Sequence, residues 1–238
     1  MKKPNGYIIY EGKSQLNGGN IVAIVTMSSK NIKTGNMASM WILNADIKPT
    51  EASKQGEDAS VCGDCKHRAV NKGACYVTLH HAPLAVYKAY KRGNYPITND
   101  MTIFEGMKVR FGAYGDPSAI PTQILASIKA VVKNNTSYTH QWKQGDKILK
   151  QVSMASVDSI EEQKQAVSEG WRTFRVTSDL SDKLPNEIVC PNTTKAIQCA
   201  DCGLCSGTST RARNIVIEVH GAKKKKFVKQ QELTTQQG

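Results

Sequence analysis

The sequence predicts an α/β protein whose sheet is mostly parallel, open or curled into a partial or complete (β/α) barrel, and preceded by an N-terminal β-hairpin region. Two β-branched runs surround the turn residues 17–20, which is typical of a hairpin. Strand-like and helix-like segments alternate from residue 82 onward, and this alternation favours parallel strands joined by helices. No apolar run in the chain approaches the length of about 20 residues that a membrane-spanning helix needs.

The start of the chain is expected to be a β-rich segment, residues 1–45, packed on the main domain. It is rich in β-branched and aromatic residues, and strands are predicted at YIIY (7–10), IVAIVTM (21–27) and MWIL (40–43). A polar stretch, residues 46–61, leads from there into the first cysteines.

The main domain is placed at residues 46–222. Strands are expected at 107–114, 137–142, 149–157, 172–177 and 215–220, and helices at 82–92, 119–133 and 159–169. The third helix has Ser159 as a candidate N-cap and Gly170 as a stop. Because right-handed crossovers place the loops after parallel strands on one rim, both cysteine-bearing loops are expected at that shared rim.

Charge is the clearest compositional feature. Lys and Arg number 32 against 20 Asp and Glu, which gives a formal net charge of +12. Part of it lies in Lys223–Lys226 and Lys229, inside a segment, residues 223–238, that is expected to be a flexible basic tail. Such a surplus attracts nucleic acid or other anionic surfaces, although it also serves solubility, and no RNA-recognition motif accompanies it.

The cysteines are expected to be metal ligands. The N-terminal sequence lacks the apolar run of a signal peptide, so a cytoplasmic location is predicted, and there thiols stay reduced. The chain has seven cysteines, in two groups separated by a long cysteine-free stretch. Reduced, clustered cysteines favour metal binding over disulfides.

The second group is the more specific. Cys190 is followed by Cys199, Cys202 and Cys205, and these last three have the C-x2-C-x2-C spacing of iron–sulfur proteins. Four thiolates also suit a structural zinc ion, so zinc remains the alternative to a [4Fe-4S] cluster.

The first group holds three cysteines, Cys62, Cys65 and Cys75. A Cys3His zinc site is one interpretation, and the candidates for its fourth ligand are His67, His80 and His81. A cube held by three cysteines with one iron open is another. A third is that both groups meet in space and share one metal site.

The order of features resembles the radical S-adenosylmethionine (SAM) superfamily with an auxiliary-cluster extension. A three-cysteine loop ends in Cys75-Tyr76, later strands end in GAYGDP (112–117) and read VSMASVDS, and a four-cysteine segment follows. The likeness spans about residues 55–206, and it looks closer still to a group of Cys-rich phage proteins.

This resemblance implies a partial (β/α) barrel that binds one [4Fe-4S] cluster, or two, and SAM. Gly115 and Asp116 then stand where the family binds the SAM amino group, although Gly-Asp-Pro is also an ordinary turn sequence. The family's loop is C-x3-C-x2-C, whereas this one is C-x2-C-x9-C. The predicted function is therefore cluster binding, with redox or radical chemistry and a redox partner. The alternatives are a simple electron carrier and a zinc-stabilised protein that binds nucleic acid.

Overall fold

The first sheet contains the N-terminal hairpin and extends beyond it. The computed structural model describes residues 3–29 and 31–235, with side chains as far as residue 232. The sheet has five strands in the order β1-β2-β3-β4-β5, namely β1 (Gly6–Lys13), β2 (Asn20–Thr26), β3 (Ala38–Asn44), β4 (Lys108–Tyr114) and β5 (Asn134–Thr136). The pairs β1/β2 and β2/β3 are antiparallel, whereas β3/β4 and β4/β5 are parallel. The N-terminal strands thus share hydrogen bonds with strands of the predicted main domain.

The second sheet is parallel throughout. Its five strands have the order β6-β7-β8-β10-β9, and they are β6 (Tyr138–Thr139), β7 (Met154–Val157), β8 (Thr173–Thr177), β9 (Glu187–Val189) and β10 (Asn214–Glu218). The predicted α/β class with a mostly parallel sheet is confirmed. The edge strand β9 was not expected from the sequence.

Helices connect these strands. They are α1 (Pro49–Gln55), α2 (Ala59–Cys62), α3 (Ala82–Lys91), α4 (Thr122–Val131), α5 (Lys147–Val152), α6 (Ile160–Ser168), α7 (Pro191–Lys195), α8 (Cys199–Cys202) and α9 (Lys224–Thr235). No helix in the described part of the chain is both long enough and apolar enough to cross a bilayer.

Two predicted strands are partly wrong, and of the one expected at residues 137–142 only Tyr138–Thr139 is a strand. Residues 149–157 were expected to be a single strand, but helix α5 occupies the first part and β7 begins only at Met154. The Asp146 side chain accepts a hydrogen bond from the Leu149 backbone N–H at 2.7 Å, which caps the helix. Leu149 and Val152, three residues apart, are both buried on its inner face.

The segment expected to be a flexible tail contains helix α9. Its Phe227 is 5% exposed and packs with Ala74 and Val219. Four lysines precede the two apolar residues Phe227 and Val228, which explains why the composition suggested a free tail. The remaining residues of the predicted tail, 236–238, lie outside the described part of the chain.

A common apolar core joins the two sheets. It includes Ile24 of β2, Phe111 of β4 and Val157 of β7, all fully buried. Only Ser137 separates β5 from β6, so the chain passes directly from one sheet to the other. The loops at both ends of the strands are therefore held by one continuous scaffold.

Candidate metal centres at opposite ends of the strands

The three-cysteine loop lies against the carboxyl ends of β4 and β6. The Asp116 backbone N–H, just after β4, donates to the Val61 carbonyl at 2.6 Å. The side chain of Gln141, just after β6, donates to the Cys62 carbonyl at 3.1 Å. These two bonds fix helix α2, which carries Cys62, at the rim where α/β proteins usually bind ligands.

The thiols of this loop are electrostatically coupled. Burial raises the pKa of Cys62 well above its usual value, and Asp58, Cys65 and Cys75 raise it further. Burial also raises the pKa of Cys65 to about 12, and Cys75 is among the neighbours that add to the rise. The three thiols are therefore protonated at neutral pH, and a metal would bind by displacing their protons.

Arg68 holds the loop in shape. Its guanidinium donates to the Asp58 carboxylate at 2.7 and 2.9 Å, to the Gly63 carbonyl at 2.9 Å and to the Gly56 carbonyl at 2.6 Å. Both charged side chains are nearly buried. The Arg68 side chain thus links the residues before and after α2. These bonds fix the start of the nine-residue segment between Cys65 and Cys75.

A histidine–aspartate pair stands beside this loop. His67 Nε2 lies 2.5 Å from Asp158 Oδ2, and the His140 ring meets the His67 ring edge-on with centroids 5.4 Å apart. Asp158 also pairs with Lys66 at 3.1 Å. Burial alone would raise the pKa of Asp158, but the hydrogen bond and charge of His67, with the Lys66 charge, lower it to about 2.

The pair leaves two buried atoms without partners. They are His67 Nδ1 and Asp158 Oδ1, within the part of the chain whose side chains are described. In the tautomer that donates its Nε2 hydrogen to the Asp158 carboxylate, an uncharged His67 ring carries a lone pair at Nδ1. This arrangement can accept a proton or a ligand, and it matches the carboxylate–histidine pairs that orient metal ligands.

The other two candidate histidines lie elsewhere. The rings of His80 and His81 contact each other with centroids 4.5 Å apart, just before α3, and both residues are exposed. Of the three histidines suggested as a fourth ligand, His67 is the one that joins a buried polar cluster. His140 and Asp158 were not singled out as ligands, because isolated strand-end residues carry no spacing motif.

Gly115 and Asp116 have structural roles that do not fit SAM binding. Asp116 Oδ1 accepts from the Ser118 backbone N–H, the Ser118 hydroxyl and the Thr139 hydroxyl, and Oδ2 accepts from the His140 N–H. With four donors satisfied, the carboxylate has little capacity left for a ligand ammonium group. Gly115 has φ +82°, and a Cβ there would lie 2.7 Å from Ile42, so backbone geometry requires glycine.

The four cysteines of the second group line one small pocket. Cys190, Cys199, Cys202 and Cys205 share it with Tyr138, Ile215 and other residues, and its volume is about 20 Å³. Cys190 follows β9, Cys199 and Cys202 bound helix α8, and Cys205 is buried beside the first residues of β6 and β7. The sequence grouping is therefore also a grouping in space.

Neighbouring polar groups partly offset the effect of burial on the pKa values of the thiols in this pocket. Burial raises the pKa of Cys205 to about 12, and a hydrogen bond from the Tyr138 hydroxyl offsets part of that rise. Burial also raises the pKa of Cys199, and the nearby Arg110 guanidinium opposes that rise. A positive charge and a hydroxyl donor thus face the sulfurs, and both would stabilise thiolates.

The two groups lie at opposite ends of the strands, so the expectation of one shared rim is wrong. Asp201 of α8 forms an ion pair with Lys108, the first residue of β4, at 3.0 Å. Arg172, just before β8, donates to the Leu204 carbonyl at 2.7 Å. These contacts place Cys199–Cys205 at the amino ends, whereas Cys190 follows the short strand β9 and bonds to Val216 in the middle of β10. A single metal site shared by both groups is excluded.

A single ion has no ready-made site. Across residues 3–29 and 31–232, no three Cys, His, Asp or Glu side chains are arranged to hold one metal ion. Around zinc, thiolates stand about 3.8 Å apart, because Zn–S bonds are about 2.3 Å and the geometry is tetrahedral. A cluster spreads its thiolates more widely, since several irons lie between them. Either kind of site would therefore need the side chains of the described residues to move together on binding.

The fold and the two thiol groups define an α/β protein with separate cysteine-rich centres above and below its parallel strands. All seven cysteines are free thiols. Comparison of the chain with family models, curated proteins and solved structures found no match.

Proposed function

We propose that the protein binds a [4Fe-4S] cluster in the four-cysteine pocket and a second iron–sulfur group at the three-cysteine loop. The convergence of Cys190, Cys199, Cys202 and Cys205 on one pocket carries this proposal. Four thiolates from two segments that meet only in the fold have no evident structural purpose as free thiols. Their reduced state suits the cytoplasm.

The two centres would do different work. We call the four-cysteine pocket the lower centre and the three-cysteine loop the upper centre. A cluster with four thiolate ligands has no open iron, so the lower centre would transfer electrons or stabilise the fold. The upper loop supplies three thiolates and leaves one position open at the rim where α/β proteins bind ligands. These positions support redox chemistry at the upper centre. A redox partner would deliver the electrons through the lower centre.

His67 and Asp158 would serve the upper centre. The Nδ1 atom of His67 can hold a proton beside the group that the three thiolates bind. The proposal includes no step through SAM, because the Asp116 carboxylate is already occupied by protein donors.

Metal and sulfide analysis tests the proposal. The protein is purified under nitrogen, reconstituted with iron and sulfide, and compared with Cys199→Ser/Cys202→Ser and with Cys62→Ser/Cys65→Ser. Each double variant serves as the control for the other, since the two centres are separate. We expect about eight irons in the original chain and about four in each variant.

Other results would contradict one or both parts. Zinc without sulfide after purification would overturn the cluster and favour the zinc alternative. Unchanged iron in the Cys62→Ser/Cys65→Ser variant would remove the upper centre and leave a simple electron carrier. Unchanged iron in the Cys199→Ser/Cys202→Ser variant would remove the lower centre.

A further inference from the structure

Helix α9 is fixed to the three-cysteine loop by one of its faces. The Phe227 ring stacks on the His67 ring with centroids 5.8 Å apart. Gln230 donates to the Lys66 carbonyl at 3.2 Å, and Gln231 donates to the Asp158 carbonyl at 2.7 Å. Positions 227, 230 and 231 are spaced three and four residues apart, so these contacts use a single inward stripe.

The opposite face of α9 is basic and exposed. Lys225 and Lys229 are four residues apart and lie about opposite Phe227 on the helix, with Lys226 beside them. All three are exposed, and their ammonium groups make no ion pair in the described part of the chain. Lys224 differs, since it pairs with Glu218 at 2.6 Å. Three neighbouring charges are thus available to an anion.

The position of these lysines along the helix also favours an anionic ligand. Lys225 and Lys226 occupy the first turn of α9, where the helix dipole is positive and repels cations. The helix dipole therefore does not explain this run of lysines. Phosphate groups bound there would relieve both the repulsion between side chains and the unfavourable dipole.

An exposed aromatic side chain lies near the start of α9, where the Lys223 charge also acts on the neighbouring Cys75. Tyr76 is 70% exposed, and it follows Ala74 and Cys75 on the loop. Ala74 is buried in the same small cluster as Phe227, which places this end of the loop beside α9. A solvent-facing tyrosine near a lysine-bearing helix has the chemistry of single-strand binding, in which bases stack on aromatics and cations follow the backbone.

We propose that the outward face of α9 and Tyr76 bind single-stranded nucleic acid, with phosphates on Lys225, Lys226 and Lys229 and a base stacked on Tyr76. The surface lies over the rim that carries the three-cysteine loop, so the strand would pass beside the upper centre. The net charge of +12 adds long-range attraction. Binding does not depend on metal at either centre.

Fluorescence anisotropy with a labelled oligothymidylate tests this surface in the full chain. The Lys225→Glu/Lys226→Glu/Lys229→Glu variant is expected to bind at least about tenfold more weakly at low salt, with a log–log salt slope shallower by about 2. The matched control is Lys54→Glu/Lys88→Glu/Lys147→Glu, which reverses the same number of charges at exposed sites elsewhere. It should retain most of the binding.

Tyr76 separates stacking from charge. Tyr76→Ala is expected to weaken binding at least about fivefold without altering the salt slope, whereas Tyr76→Phe should bind normally. Equal losses in both triple variants would show that only net charge matters and would overturn the proposal. So would tighter binding to duplex DNA than to the single strand, or binding to phosphatidylglycerol vesicles with none to the oligonucleotide.

Discussion

His67 Nε2 lies 2.5 Å from Asp158 Oδ2, and this contact links the three-cysteine loop to the end of strand β7. The two residues are 91 positions apart in the chain. Helix α9 covers the contact through Phe227, which stacks on the His67 ring. One pair therefore connects a cysteine loop, a parallel strand and the C-terminal helix.

Replacing Asp158 with Asn should remove stability in a pH-dependent way. The folded-state pKa of Asp158 is lowered to about 2. A carboxyl group with a lowered pKa stabilises the fold fully above its unfolded value, near 3.9, and loses that effect as pH falls towards 2. We expect Asp158→Asn to cost about 2 kcal/mol at pH 7, and the difference from the original chain to shrink below about pH 4.

Denaturant unfolding at a series of pH values measures this difference. Asp64→Asn is the control, since Asp64 is exposed in the same loop. A difference that stays constant from neutral pH down to pH 3 would mean that the His67 contact does not stabilise the ionised carboxylate.

Replacing Arg68 with Ala should destabilise the three-cysteine loop strongly. It would leave the nearly buried Asp58 carboxylate unpaired and two backbone carbonyls without their donor. Breaking a buried ion pair on one side costs about 3–5 kcal/mol. Lys48→Ala is the control, because its ion pair with Glu51 is nearly half exposed, and it should cost less than about 1 kcal/mol. Similar unfolding midpoints for the two variants would contradict the role given to Arg68.

If the four-cysteine pocket binds the proposed cluster, replacing Tyr138 with Phe should lower the reduction potential of that cluster. The Tyr138 hydroxyl bonds to the Cys205 thiol, and donors to ligand sulfur favour the more negative, reduced state. We expect a decrease on the order of tens of millivolts in an EPR-monitored redox titration. Phe keeps the ring contact with Phe174, whose centroid lies 4.6 Å away.

Tyr114→Phe is the matched control for that measurement. The Tyr114 hydroxyl is buried, and within the described residues it has no hydrogen-bond partner. Its removal should leave the potential of the lower cluster unchanged. Equal shifts in the two variants would point to a general effect of lost hydroxyls.

Replacing Asp116 with Asn should test whether this residue is structural. An amide group offers one oxygen where the carboxylate accepts four hydrogen bonds, and its NH2 would face donors. We expect a loss of at least about 2 kcal/mol in unfolding free energy. Asp201→Asn, at an ion pair whose carboxylate is 67% exposed, should cost less than about 1 kcal/mol. Full stability in Asp116→Asn would leave that carboxylate free for a ligand.

Local sequence patterns predicted the elements that local interactions control. The turn at residues 17–20 joins β1 and β2, as expected, and Gly18 adopts φ +76° there. Ser159 caps α6 by accepting from the Glu162 N–H at 3.1 Å. Where long-range packing decides the conformation, local patterns were insufficient. A local signal was missed as well, because the Asp146 side chain caps a helix where a strand was predicted from residue 149.

The sequence by itself determined the α/β class, the two cysteine groups and the basic C-terminus, because spacing, composition and periodicity are properties of the chain. Only the tertiary structure decided where the two groups lie. Strands β9 and β10 are parallel, so the segment that joins them runs back along the sheet and carries Cys199–Cys205 to the amino ends. The pairing of His67 with Asp158 and the packing of Phe227 likewise depend on strand order, which no short stretch of sequence encodes.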